Sequence, residues 1–329
     1  MRALFVTCAA AAFAAAAGCG PDHGPEGIDR GLLRAFEPLP AVIDSPANPV
    51  TPEKVALGRR LFLDPRLSAS GGISCNTCHP LDRYGADGKR VSEGHDGAPG
   101  RRNSPTVYNA AGHFVQFWDG RAATVEEQAA GPLLASDEMA MSSPEAVEAV
   151  IRGDAEYRRM FAAAFPGEAA PETLENTGRA IGAFERTLVT PSRWDDFLNG
   201  SHGALTAEEK AGFERFTSAG CMTCHRGVYM GGEMYSRLGI VKAWPDQRDL
   251  GRYEVTRNQR DRMVFKVPSL RNVEMTAPYL HDGSVESLDE TVRLMAEYQL
   301  GKQLTDADAR LIVAWLRALT GTLGDPAGQ

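Results

Sequence analysis

Apolar side chains recur at helical spacing through much of this chain. After Thr51, an N-cap followed by Pro52 at the first helical position, Val55, Leu57, Leu61 and Phe62 fall mostly on one face, and Asp64-Pro65 ends the run. Thr206-Ala207-Glu208-Glu209 forms a capping box ahead of Phe213 and Phe216. Further helices are predicted over 144–152, 154–165, 171–189, 287–300 and 305–320. In the 287–300 segment Ser287 to Glu290 cap the start, and Leu288, Val292 and Met295 follow at i, i+4 and i+7, which turns Met295 inward. Few segments alternate with period two. The predicted fold class is therefore mainly α, with long irregular loops rich in Gly and Pro.

The pattern also divides the chain. Met1-Arg2 and the Ala-rich apolar run to Ala17 read as a signal peptide over residues 1–18, too short to span a bilayer. Ala16-Ala17-Gly18-Cys19 is a small-residue cleavage site that makes Cys19 a candidate lipidated first residue; simple cleavage is the alternative, since Leu is missing three positions before it. Residues 19–50 lack periodicity and read as a tether. Two domains are expected, 51–190 and 191–329, with the last helix free to pack back on the first; Thr190-Pro191 and Asn199-Gly200 mark the boundary region. The formal net charge is −8, and becomes −9 without residues 1–18, whose one charged side chain is Arg2. That acidity excludes nucleic acid as a natural partner.

Two copies of Cys-x-x-Cys-His carry the chemistry: Cys75 to His79 and Cys221 to His225, 146 residues apart. Two thiols three positions apart can add to the two vinyl groups of one porphyrin, and the adjacent imidazole then serves as proximal iron ligand. A redox dithiol or a shared zinc site would use the cysteines but leave both histidines unexplained. Of six cysteines only Cys8 and Cys19 remain, both in the export segment, so no disulfide framework is expected. Covalent haem attachment also fits an exported, periplasmic protein. A helix precedes each motif, and Glu53-Lys54 through Gly58 to Phe62 aligns loosely with Glu209-Lys210 through Gly212 to Phe216, which suggests a duplicated helix-then-haem unit.

From Pro52 to Gly321 the chain resembles the bacterial di-haem cytochrome c peroxidase family, which includes the related tryptophylquinone-maturing enzymes. The resemblance rests on both haem motifs, Gly94-His95, Asn103-Ser104-Pro105-Thr106, Gln116 to Arg121, Glu127-Gln128 through Gly131-Pro132, Glu138-Met139, Thr276 to Tyr279 and His281-Asp282-Gly283. It implies two cytochrome c-like haem domains, the N-terminal haem being the peroxide site and the C-terminal one receiving electrons. It further implies that His95 is a removable sixth ligand of the first iron, that Glu138 is the acid-base catalyst with Gln128 assisting, and that Trp118 stands between the haems.

Met295 matches the sixth ligand of the second haem, with Met275 a weaker alternative; relatives that mature quinones carry Tyr there. Asn103, Thr276 and Pro278 match an interdomain calcium site built from oxygen donors. His281, in the same loop, is expected only to pack or hydrogen-bond near the second haem. The activity implied is reduction of hydrogen peroxide to water with electrons from a small cytochrome c or cupredoxin, by a homodimer. The rival readings are a di-haem oxidase of a protein or organic substrate, and a membrane-tethered electron-transfer or redox-sensing cytochrome.

Overall fold

The computed structural model describes residues 27–324; the expected signal peptide, Cys8 and Cys19 lie outside the described residues. Helices dominate, as the periodicity predicts. The first half carries α1 (Arg30–Leu33), α2 (Pro52–Leu63), α3 (Cys75–Cys78), α4 (Val125–Leu134), α5 (Pro144–Gly153), α6 (Ala155–Ala164) and α7 (Leu174–Glu185). The second carries α8 (Arg193–Leu198), α9 (Ala207–Ala219), α10 (Tyr253–Thr256), α11 (Leu288–Leu300) and α12 (Asp306–Arg317). Strands β1 (Tyr235–Arg237) and β2 (Val264–Lys266) pair antiparallel, with Ser236 opposite Phe265.

Capping chemistry sets most boundaries. Thr51 accepts from the Lys54 N–H at the start of α2, and Thr206 and Glu209 complete their capping box at α9. The helices expected at 154–165 and 171–189 begin later because Asp154 and Thr173 turn their side chains back onto the first N–H groups of α6 and α7. Five helices escaped the sequence reading: α4 contains Pro132, α8 is only six residues long, and α1, α3 and α10 are single four-residue turns.

Two apolar cores form. Leu57, Leu61 and Phe62 of α2 pack with Ile181 and Phe184 of α7 in the first. Trp194, Phe213, Phe216, Ile312 and Trp315 centre the second. The stretch read as a boundary region thus contributes Trp194 and Phe197, both buried, to the second core. Residues 27–50, read as part of a tether, also pack: Ile28 and Phe36 enter the second core, the Leu39 N–H donates to Asp195, and the Ile43 N–H donates to the Arg186 carbonyl. Their few apolar side chains have no helical or strand period, which is why the pattern did not reveal them. Helix α12 packs on α9 rather than on the first half. Only the residues after it return there, where Gly321 accepts from the Tyr84 hydroxyl and Leu323 meets the first core.

The duplication has a physical counterpart. A Cβ on Gly58 would lie 1.9 Å from the Ala180 carbonyl oxygen, and one on Gly212 would lie 2.0 Å from that of Leu311. In each half, the helix before the haem motif therefore crosses the last helix of its core through a glycine. Gly212→Ala is expected to lower stability by ~1–3 kcal/mol through overpacking, read as a lower denaturant midpoint at unchanged m-value. An unchanged midpoint would mean that α9 and α12 separate freely.

Candidate active site

Each Cys-x-x-Cys-His segment folds back on itself, with the His79 N–H donating to Cys75 O and the His225 N–H to Cys221 O. The rings are oriented in the same way: Nδ1–H of His79 donates to Gly85 O at 3.2 Å, and that of His225 to Met230 O at 3.1 Å. A carbonyl only accepts, so Nδ1 holds the proton and Nε2 is left with a free lone pair. Burial depresses both imidazole pKa values, that of His225 to about 4, so each ring is neutral at pH 7, as an iron ligand must be.

Burial also pushes the Cys75 thiol up to about 12 and that of Cys221 up to about 11. Such thiols are poor redox nucleophiles. Among the described residues, no group of three or more His, Cys, Asp or Glu side chains is placed to hold a metal ion.

Both motifs open onto one cavity of about 860 Å³. Cys75, Cys78 and His79 line it from the first half, and Cys221, Cys224 and His225 from the second. The cavity also brings together Trp118, Gln128, Glu138, Asn103, Thr276, Pro278 and Met295, residues scattered over 193 positions of sequence. Four cysteines and two preset imidazoles around a shared hollow fit two covalently held haems.

Glu138 is half-buried on this wall. Burial raises its carboxyl pKa above the ordinary carboxylate range, Arg121 opposes that, and Asp137 adds to it. A carboxyl moved toward neutrality suits proton exchange. Gln128, on α4, shares the cavity wall. His95 does not line it. Its imidazole is 27% exposed, with Nε2 3.3 Å from Asp96, while its main-chain N–H donates to Glu138 O at 2.8 Å. Gly94 serves close approach: a Cβ there would lie 2.1 Å from Asp137 O. The His95 loop and the Glu138 segment are thus packed backbone to backbone.

On α11, Leu288, Val292 and Met295 all face the cavity, as their spacing predicts. Met275 is 45% exposed and does not line the cavity, whereas Met295 does. His281 is buried and stacks on Phe265 with centroids 4.3 Å apart. Trp118 donates from Nε1 to Asn103 O at 2.9 Å, so the indole is tied to the loop expected to hold calcium. Asn103 Nδ2 donates to Lys89 O, leaving Oδ1 as its oxygen donor.

Several cavity residues went unassigned in the sequence. Arg121 stacks on Phe117 at 3.4 Å and bridges to Asp119; it lay within a matched run but without a role. Glu185, buried near the end of α7, has its pKa pushed up to about 8 by burial, with the Glu126 charge adding to it. A lone acid at a helix end carries no sequence signal that distinguishes it from a solvated residue. The same holds for the pair His113 and Lys266.

Comparison with known proteins agrees with this geometry. Residues 52–203 match the model for di-haem cytochrome c peroxidases. Cytochrome c551 peroxidase of Pseudomonas aeruginosa is 45% identical over 293 residues, covering 87% of this chain and 84% of that protein. Methylamine utilization protein MauG of Methylorubrum extorquens is 38% identical, covering 79% of this chain and 74% of the relative. Among solved structures, a MauG-like protein associated with microbial copper homeostasis superposes with a TM-score of 0.76 at 32% identity, covering 86% of this chain and 93% of the other. With both haem motifs opening on one shared cavity and identity at this level along most of its length, the chain belongs to the di-haem cytochrome c peroxidase family.

Proposed function

We propose that this protein is an exported, periplasmic peroxidase that reduces hydrogen peroxide to water with electrons from a small cytochrome c or cupredoxin. The observation that carries the reading is Glu138, a half-buried carboxyl of raised pKa on the wall of the cavity that His79 also lines. When bound, the haem held by Cys75, Cys78 and His79 supplies the iron at which peroxide reacts, and the haem held by Cys221, Cys224, His225 and Met295 supplies an electron store. Glu138 takes the proton from the near peroxide oxygen and returns it to the far one, so that water can leave. Gln128 donates a hydrogen bond from its amide to orient peroxide or water. Two electrons and two protons complete the conversion of one peroxide to two waters.

Trp118 offers a polarisable ring between the halves, held in orientation by its bond to Asn103 O. Asn103, Thr276 and Pro278 offer oxygen donors for a calcium ion that would couple the two halves. His95 would be a removable ligand of the N-terminal haem iron, held there until the C-terminal haem is reduced; its place on the Glu138 backbone supports a loop that reports on the catalytic carboxyl. A homodimer and a lipid anchor at Cys19 complete the proposal. Among the described residues, no helix is long and apolar enough to cross a membrane.

The test is peroxide turnover with a reduced small cytochrome c as donor, in calcium, comparing fully oxidised protein with protein pre-reduced by one electron. Rapid turnover only after pre-reduction is expected, and His95→Gly is expected to make the oxidised protein active without it. Turnover in both states of the unaltered protein would retain the enzyme and discard the gate. No turnover in either state, with both haems attached, would turn the reading toward an oxidase or a carrier.

A further inference from the structure

Lys266 closes β2, and its main-chain N–H donates to Trp118 O at 2.7 Å. The residue is only 6% exposed. Its ammonium donates to Val115 O at 3.2 Å and meets His113 Nδ1 at 3.3 Å. An ammonium has hydrogens but no lone pair, so Nδ1 is the acceptor and the His113 ring proton sits on Nε2. That Nε2 is buried and has no partner on the chain. Two donors are therefore unspent, the third ammonium hydrogen and the imidazole N–H, on two residues that both line the haem cavity.

Two other cations of the cavity wall are paired with carboxylates. Arg102 is held by Asp119 and Asp249, and Arg271 by Asp195. For Lys266, burial alone depresses the pKa, to about 8, and no carboxylate acts to raise it. A buried cation without an anion is costly, and so is a buried donor without an acceptor. One incoming carboxylate would satisfy both.

We propose that Lys266 and His113 form the seat of a haem propionate where the two halves meet beside Trp118. The inference rests on the haem-bearing reading above. A propionate is a carboxylate fixed to the porphyrin edge, so its anchoring aligns the macrocycle and sets a cation close to its π-system. Loss of that cation leaves the carboxylate charge uncompensated, which favours ferric over ferrous iron and lowers the reduction potential of that haem.

The experiment is a spectroelectrochemical titration of the full-length holoprotein carrying Lys266→Met, Lys266→Arg or His113→Phe, following the two haems separately, with haem per chain counted by pyridine haemochrome. Lys266→Met is expected to weaken the reduction equilibrium of one haem about tenfold, ~59 mV for one electron, and to leave the other far less changed. Lys266→Arg is expected to restore most of the loss, and His113→Phe to shift the same haem in the same direction by less. The haem that moves identifies which propionate is seated.

Two haems per chain with both potentials unchanged in Lys266→Met would overturn the proposal. So would equal shifts of both haems, or a shift that appears only when inorganic phosphate is added, since a diffusible anion would then be the occupant. Should Lys266→Met not fold, His113→Phe alone decides by the same criterion. Absence of haem from the unaltered protein would instead defeat the reading on which the inference stands.

Discussion

Replacing Glu138 with Gln is expected to lower kcat for peroxide reduction by roughly 10²–10⁴-fold with both haems still attached. The amide keeps the shape and polarity of the carboxyl but cannot take a proton from one oxygen and give it to the other. Burial already holds this carboxyl above its ordinary pKa. The base must be ionised to act, so the rate should fall as pH drops through that raised value, in a limb lying above the usual carboxylate range. The limb should vanish in Glu138→Gln. Arg121→Gln removes the charge that opposes the rise, and should move the limb to higher pH without abolishing turnover. Stopped-flow turnover across pH measures both effects, and an undiminished rate in Glu138→Gln would remove the carboxyl from the mechanism.

Arg271→Met is expected to destabilise the protein by about 3–5 kcal/mol, the usual result of stranding one member of a buried ion pair. Arg271 and Asp195 have side chains only 1% and 4% exposed, with Nη1 2.5 Å from Oδ2. Asp195 also accepts from the Ser192 N–H and hydroxyl and from the Leu39 N–H, so the pair joins α8, the loop after β2 and the N-terminal strap. Burial opposes ionisation of Asp195, but the Arg271 charge and these hydrogen bonds outweigh it and hold its pKa below the ordinary value.

A carboxyl depressed in the folded state stabilises fully above its unfolded pKa, and that contribution is lost as pH falls through the folded one. The unaltered protein should therefore lose this increment in acid, below the ordinary carboxylate range, whereas Arg271→Met should lack it at neutral pH. Chemical denaturation at neutral and acidic pH measures the difference. The double variant with Asp195→Asn should recover part of the loss, because no uncompensated charge remains; an equal or greater loss in the double variant would point to packing instead.

Residues whose role is set by near neighbours were legible in the chain itself. Cys75 to His79 and Cys221 to His225 declare haem attachment because both thiols and the imidazole must lie within one turn of backbone, a constraint written in local spacing. Helices α2, α5, α6, α9, α11 and α12 declare themselves through caps and a 3.6-residue apolar period, and the same period turned Met295 toward the cavity. Glu138, Gln128, Trp118 and Asn103 have no such local signature, and resemblance alone singled them out.

Only the tertiary structure decided that these residues meet on one hollow, that Met275 is on the surface while Met295 is not, and that residues 27–50 strap the two cores. It likewise decided that His95 lies against the Glu138 backbone, that Lys266 and Glu185 are buried, and that both line the haem cavity with the half-buried His113. The physical reason is common to all of these. Burial, and with it the cost of a charge and the shift of a pKa, depends on what distant chain segments bring to the same place, and neither the type of a residue nor the spacing of its neighbours records that.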